Sequence, residues 1–167
     1  MHYRELEERR KIADGEIPRF VGLLLGVRGL EGEKLEEHLA KLGEQYIKRK
    51  KDWANENRNE LPPKPGENLI DCAMRVLYKL NLYLPEGYIN VIEKTENRLV
   101  SEFRDRCPIL DACQHLGLDT RLVCRKVFHE PYQVLLSEIS PRLKFNRDYE
   151  NGLRPYSDRC VEIITVE

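Results

Sequence analysis

Hydrophobic residues in the first third of the chain recur at helical intervals. A step of three or four residues places side chains on one face of an α-helix, and this step holds for much of the segment 31–57. Its apolar positions are Leu35, Leu39, Leu42, Tyr46 and Trp53. The pattern predicts a long helix over 31–57. Before it we expect a charged helix over 3–13 that ends at Asp14-Gly15, and then an apolar segment over 18–27.

Proline and glycine divide the middle of the chain. The sequence L-P-P-K-P-G at 61–66 interrupts the helical pattern and predicts an ordered connection between two helices. The second of these helices, over 67–82, has an apolar face and carries Cys72, which we interpret as a small buried hydrophobic residue. Pro85-Glu86-Gly87 then ends the helical pattern.

From Tyr88 onward apolar and polar residues alternate, which predicts a β-hairpin with strands over about 88–94 and 98–104. Three short helices follow, over 108–116, 120–128 and 131–138. Pro108 and Pro131 suit a first helical position, while Gly117 suits a C-cap and Asp119 an N-cap. Two further strands are predicted over 143–147 and 160–166. The order predicts an α+β domain, in which helices cover an antiparallel sheet made of the hairpin and the C-terminal strand pair.

The composition narrows the class of protein. A chain of 167 residues suits a single domain, with a helical part at 1–60 and a core at 66–167. Its net charge of -1 gives no bulk attraction to nucleic acid. The longest apolar stretch, 20–27, is too short to span a bilayer, and residues 1–10 lack the apolar segment of a signal peptide. We therefore expect a cytoplasmic protein without a membrane span.

Cysteine is the residue type that points most directly to chemistry. Four of the five cysteines lie in the C-terminal part of the chain, at Cys107, Cys113, Cys124 and Cys160. In a reducing compartment such a group more often binds metal or senses redox state than forms permanent disulfides. Thiolates suit Zn²⁺ or an iron–sulfur cluster, although this spacing matches neither a zinc ribbon nor a ferredoxin.

The four cysteines predict a Cys-ligated zinc or iron–sulfur site, with His115 and His129 as substitute ligands. A disulfide or redox pair and a set of unrelated buried thiols remain alternatives. Cys107 precedes Pro108 and so falls at the N-cap of a predicted helix, where the helix dipole favours a thiolate. A second hypothesis is therefore a redox protein or enzyme that uses Cys107. A third is an interaction subunit that forms a homodimer through its long helix.

Basic residues accompany the C-terminal strands. We predict that Arg147 and Arg154 bind an anionic ligand or cofactor, or offset the charge of nearby thiolates. A mixed-charge surface with ordinary ion pairs is the alternative. The chain has no P-loop, dinucleotide-binding glycine motif, zinc-protease motif or nucleophile elbow, so the sequence supports no hydrolase site.

The C-terminal part of the chain resembles a known family. The order of elements from about 67 to 167, the sequence R-D-R-C-P at 104–108 and the sequence G-L-R-P-Y-S-D-R-C-V-E-I at 152–163 resemble the V4R (4-vinyl reductase) domain superfamily. Bet3-like subunits of the TRAPP tethering complex are structurally similar to that superfamily. The resemblance implies a V4R-like core over 66–167 that binds a small hydrophobic molecule between helices and sheet. It favours Cys107 and Cys160 as metal or redox ligands.

Two features of the chain depart from that pattern. Cys113 and Cys124 fall on helices, and Arg154-Pro155-Tyr156 stands in the terminal hairpin, so no catalytic residue is carried over from the resemblance. Taken together, the sequence predicts a non-enzymatic, metal-containing domain that binds a small hydrophobic or anionic molecule or acts as a sensor, and that forms a homodimer.

Overall fold

The structure is a computed structural model that describes residues 2–167. The helices are α1 (His2–Leu24), α2 (Gly32–Glu56), α3 (Leu69–Ala73), α4 (Pro108–Leu116), α5 (Thr120–Val123) and α6 (His129–Ile139). Short 3₁₀ turns lie at Leu25–Val27 and Arg58–Glu60. Two helices run on directly as π-helical segments, α3 over Met74–Asn81 and α5 over Cys124–Phe128. The strands are β1 (Asn90–Lys94), β2 (Arg98–Phe103), β3 (Leu143–Arg147) and β4 (Cys160–Val166).

The four strands form one antiparallel sheet in the order β1-β2-β4-β3. The last strand therefore lies between the hairpin and β3, and the α+β prediction is confirmed. Leu99, Ile164 and Phe145 are partners across β2, β4 and β3 and lie side by side on one face. All three are buried in a hydrophobic cluster with residues of α3, its π-helical extension and α6. This inner face is the one that positions the candidate site.

A second hydrophobic cluster lies among α1, α2, α4 and the α5 segment. It contains Phe20, Leu39, Cys113 and Phe128. Gly43 of α2 belongs to this contact, because a Cβ atom there would lie 2.7 Å from the Lys126 carbonyl oxygen. The close approach fixes α2 against the π-helical extension of α5.

The predicted end of the first helix at Asp14-Gly15 is wrong. Helix α1 continues through Gly15 and Pro18 to Leu24. Pro18 removes one N–H and one helical hydrogen bond, but it lies on the exposed side, where water can bind the freed carbonyl oxygen. Burial of the apolar face of α1, which includes Leu24, stabilises the helix by more than the hydrogen bond lost at Pro18 costs.

Most other element boundaries agree with the sequence patterns. Helix α4 and strands β3 and β4 have the predicted bounds, Asp119 accepts backbone hydrogen bonds at an N-cap, and Gly117 has a φ of 67° at a C-cap. Helix α6 begins at His129, two residues before the predicted start.

Among residues 2–167 no helix combines the length and the apolar character needed to cross a bilayer.

Candidate functional site

A row of polar side chains crosses the inner face of the sheet. Ser101 of β2 and Arg147 of β3 are both partners of Glu162 in β4, so the three lie on neighbouring strands and share one face. Their exposed fractions are only 0%, 8% and 8%. The hydrophobic row of Leu99, Ile164 and Phe145 lies directly beside them. Charged and polar groups are thus placed inside the contact between the helices and the sheet.

Hydrogen bonds hold the centre of this row. Arg147 Nε and Nη2 donate to Glu162 Oε1 at 3.1 and 3.0 Å, and the Tyr78 hydroxyl donates to Oε2 at 2.9 Å. Both carboxylate oxygens are therefore bound. By contrast, Arg147 Nη1 and Ser101 Oγ are buried without a hydrogen-bond partner among residues 2–167. Such unpartnered atoms are uncommon in protein interiors.

The pair carries charge despite its burial. Burial is the largest single effect on Arg147 and disfavours its charged guanidinium, but the Glu162 carboxylate, together with smaller contributions from Tyr132, Cys124 and Tyr149, holds its pKa well above the usual value. Burial and the negative charge of Glu162 both raise the pKa of Tyr78, which stays a hydrogen-bond donor at neutral pH.

Aromatic rings cover one side of the guanidinium. The Tyr132 and Phe145 ring centres lie 4.9 and 5.0 Å from the guanidinium carbon of Arg147. The two ring centres are 5.2 Å from each other. Because these three distances are nearly equal, both rings lie on the same side of Arg147.

Two π-helical segments carry polar residues near the ion pair. Tyr78 lies within Met74–Asn81, and Cys124 is the first residue of Cys124–Phe128. Cys124 lies close enough to Arg147 for the guanidinium to act on the ionisation of its thiol. Short π-helical insertions are frequent at functional sites, because they change the direction of side chains within a helix. The apolar spacing of these segments fits an α-helix, so the π geometry could not be predicted from it.

His129 takes part in a hydrogen bond. Its Nδ1 atom lies 2.7 Å from the Tyr149 hydroxyl. Burial lowers the pKa of His129, and the positive charges of Arg147 and Arg125 act in the same direction. The imidazole is therefore neutral near pH 7. Burial raises the pKa of Tyr149, against the opposing effect of Arg147.

The structure separates the predicted cysteine ligands by their surroundings. Cys107 is the N-cap residue of α4, as predicted, while Cys124 and Cys160 begin the second π-helical segment and β4. These three are partly exposed, and all five cysteines are free thiols. Cys113 is fully buried in the second hydrophobic cluster. The core interpretation of Cys72 is confirmed, since it is fully buried and its thiol donates to the Leu61 carbonyl oxygen at 3.2 Å.

The C-terminal thiols nevertheless surround one region. Burial raises the pKa of Cys124, and negative charge on Cys107, Cys113 or Cys160 would raise it further. Charge on Cys160 likewise acts on Cys107. As the side chains stand, no group of three or more His, Cys, Asp or Glu residues in the described part of the chain could hold a metal ion. The metal site stays a prediction.

The expected thiolate at Cys107 does not match its surroundings. The backbone N–H groups of Ile109 and Leu110, at the start of α4, do lower the pKa of Cys107. Burial acts more strongly in the opposite direction, so the pKa of Cys107 is raised above its ordinary value. The thiol is therefore protonated at neutral pH and is a poor nucleophile there.

Three side chains of this region are partly exposed, although burial is the main cause that raises the pKa of each. These are Cys107, Cys124 and Tyr132. Cys107 also lines a surface depression of about 230 Å³. The depression is lined by Arg104, Asp105, Arg106, Cys107, Leu110, Asp111 and Arg154.

Arg154 also lines this depression. Its Nη1 atom donates to the carbonyl oxygens of Arg104 and Asp105 at 3.0 and 2.7 Å, and its backbone N–H donates to Cys160 Sγ at 3.5 Å. Its Nε atom is buried and has no hydrogen-bond partner within the described range. The two predicted arginines thus take different places, Arg147 in the buried polar row of the sheet and Arg154 at the surface depression.

Comparison of the chain with protein-family models, curated proteins and solved structures gives no match. The V4R resemblance stays a prediction that depends on its residue motifs. Of the polar row, the sequence analysis named Arg147 and missed Ser101 and the pairing with Glu162. Both Arg147 and Glu162 stand at inward positions of alternating strands, and that shared position is the signal that could have joined them.

Breaking the buried pair should destabilise the fold strongly. Glu162→Gln leaves the Arg147 charge uncompensated, so we expect the free energy of unfolding to fall by about 3–5 kcal/mol. The double variant Arg147→Met/Glu162→Leu removes both charges, so its free energy of unfolding should fall much less. Urea unfolding followed by circular dichroism measures both. Asp52→Asn, which removes the exposed Lys48 pair, is the control with little expected change. Equal losses in the single and double variants would contradict the role of the pair.

The reactivity of Cys107 should rise only at alkaline pH. Because its pKa is raised above 9.0, the thiolate fraction at pH 7 is smaller than for an ordinary cysteine. Alkylation by iodoacetamide, measured residue by residue by peptide mass spectrometry, should therefore have its midpoint above pH 9. The variant Cys107→Ser lacks this thiol and so shows which alkylated peptide belongs to Cys107. A midpoint below pH 8 would restore the hypothesis of an activated nucleophile.

Proposed function

We propose that this chain is a non-enzymatic small-molecule-binding or sensor domain. Its ligand lies between the inner face of the sheet and the α5–α6 segment, and it enters past Cys107. The observation that carries this proposal is the buried polar row, where Arg147 Nη1 and Ser101 Oγ have no partner among the described residues. Buried donors and acceptors are normally satisfied, and a bound ligand would satisfy them here.

The side chains around this proposed crevice suit a mainly apolar molecule. Cys107 and Cys124 have raised pKa values, so both are neutral thiols near pH 7 and behave as small hydrophobic groups. The Tyr132 ring adds apolar surface. A ligand with an apolar body and one polar end fits this set, in agreement with what the V4R resemblance implies.

A Cys-ligated metal is a second proposal, favoured by the convergence of Cys107, Cys124 and Cys160 on one region. Zinc or an iron–sulfur cluster would have to displace the thiol protons, because thiolates are the binding form. Because the pKa values of Cys107 and Cys124 are raised, metal binding would release protons and would become tighter as pH rises.

The homodimer also stays a proposal, and the mass of the protein in solution tests it.

Small apolar probes should protect the crevice thiols. Benzyl alcohol or sodium benzoate, added at millimolar concentration, should slow alkylation of Cys107 and Cys124 in a saturable manner. The measurement is residue-resolved alkylation by iodoacetamide, followed by peptide mass spectrometry.

Cys72 serves as the internal control, because its thiol is bound to the Leu61 carbonyl oxygen and does not line the depression at Cys107, so its rate should not change. Protection of all five cysteines alike would indicate a general stabilisation instead of a site. If neither probe protects Cys107 or Cys124, the proposed binding function is wrong.

Elemental analysis with a visible absorption spectrum tests the metal. Zinc without colour, or iron with a broad visible absorption, should appear at near-stoichiometric level in the purified protein. Cys160→Ser should lower the metal content, and Cys72→Ser should leave it unchanged. Absence of zinc and iron, together with thiols that all titrate freely under native conditions, would exclude this second proposal.

A further inference from the structure

We infer that Lys50 of α2 is an acylation site, whose amine accepts the acyl group of an acyl phosphate. The site is separate from the polar row and from the depression at Cys107, although it shares the Tyr132 ring with the proposed crevice. Three features of the described residues carry it: a partly buried amine without a counter-ion, partly exposed residues around that amine, and a run of basic residues on the same helix.

The Lys50 amine lies where three helical segments meet. Its Nζ atom donates to the side-chain oxygen of Asn81, at the end of the π-helical segment Met74–Asn81, and lies 5.2 Å from the ring centre of Tyr132 on α6. Trp53 and Ala54, three and four positions further along α2, share its helix face and are apolar. Within residues 2–167 the amine therefore has one hydrogen-bond acceptor, an aromatic ring and apolar neighbours.

Among the described residues no carboxylate pairs with this ammonium group. Asp52, two residues further along α2, pairs with Lys48. The buried carboxylate of Glu162 pairs with Arg147. An amide oxygen and an aromatic ring replace only part of the hydration that a charged amine loses on burial. Burial therefore lowers the pKa of Lys50 to about 8, so a sizeable fraction of the amine is neutral and nucleophilic near pH 7.5.

The surroundings of the amine favour a small anionic reagent. Lys50, Asn81 and Tyr132 are each partly exposed, so the group lies at the surface of the protein and not in its core. Lys50 belongs to the basic run K-R-K-K at 48–51, whose other three residues are exposed. These positive charges lie within a Debye length of the amine and attract anions to it. An acyl phosphate combines an anionic phosphoryl group with an electrophilic acyl carbon.

The acyl transfer needs no further reactant. The lone pair of Lys50 Nζ attacks the acyl carbon, a C–N bond forms, and the C–O bond to the phosphoryl group breaks. Phosphate leaves with the electron pair of that bond, and the proton lost by nitrogen passes to phosphate or to water. The product is a neutral amide, which no longer carries the cost of a partly buried charge. Its remaining N–H can still donate to Asn81.

Acetyl phosphate is the probe, and peptide mass spectrometry measures the acetylation rate of each lysine at pH 7.5. Lys50 should react at least about tenfold faster than Lys51, because ordinary lysines, with a pKa of about 10.4, are almost wholly protonated at this pH. Lys51 is the matched control, since it is exposed and belongs to the same basic run. Added sodium chloride should slow the reaction of Lys50 with acetyl phosphate more than its reaction with the uncharged donor p-nitrophenyl acetate.

The variant Asn81→Asp tests whether the missing counter-ion activates the amine. It places a carboxylate of the same shape beside Nζ, which favours the charged form, so acetylation of Lys50 at pH 7.5 should fall at least about tenfold. The rate at Lys51 should stay the same. Asp52→Asn, which removes the exposed carboxylate that pairs with Lys48, is the control and should leave the rate at Lys50 nearly unchanged. Lys50→Arg shows which acetylated peptide belongs to this site.

Two results would overturn the acylation site: acetylation of Lys50 no faster than that of Lys51, or an unchanged rate at Lys50 in Asn81→Asp. Equal salt dependence with acetyl phosphate and p-nitrophenyl acetate would overturn the acyl phosphate as the class of donor. Protection of Cys107 and Cys124 by apolar probes is measured separately, so failure of the acylation site and failure of the binding function are distinguishable.

Discussion

The buried ion pair between Arg147 and Glu162 is the constraint on which the rest of the structure depends. It joins β3 to β4, and the Tyr78 hydroxyl extends it into the helical layer. Burying two charges costs several kcal/mol in desolvation, which is recovered only when the hydrogen bonds are nearly complete. The pair therefore contributes specificity more than stability. A shift of β4 by one residue would turn Glu162 to the outer face and replace it with Ile163, so the pair fixes the register of the sheet.

The same pair leaves one donor of the interior without a partner. Three hydrogen bonds occupy the carboxylate of Glu162, and two of them use one edge of the Arg147 guanidinium. Aromatic rings lie on one side of that guanidinium, and its Nη1 atom is buried without a hydrogen-bond partner among the described residues. A polar group that serves only structure is usually satisfied on every side. The incomplete satisfaction of Arg147 is the feature on which the proposed binding function depends.

The sequence predicted the elements better than the site, and the reason is physical. The bounds of α4, β3 and β4 follow from local signals, namely caps, prolines and alternation. The continuation of α1 past Pro18 follows from burial of its apolar face, which no local rule contains. Arg147 was selected by residue type, but its contacts with Tyr78 and Glu162 join segments far apart in the chain. The π-helical segments, which orient Tyr78 and Cys124, depend on packing against the sheet. They do not change the spacing of hydrophobic residues along the sequence.

The cysteines show how two physical effects at one position can be ranked. A helix N-terminus favours a thiolate at Cys107, and burial disfavours it. The backbone N–H groups of Ile109 and Leu110 act as the sequence suggested, yet burial is the larger effect and the thiol stays protonated. Neutral thiols behave as small apolar groups, which is why the binding proposal favours a mainly apolar molecule. A metal on the same thiols would require their deprotonation and would occupy the same region. The two proposals therefore compete for the same residues, and a rise in pH would favour the metal.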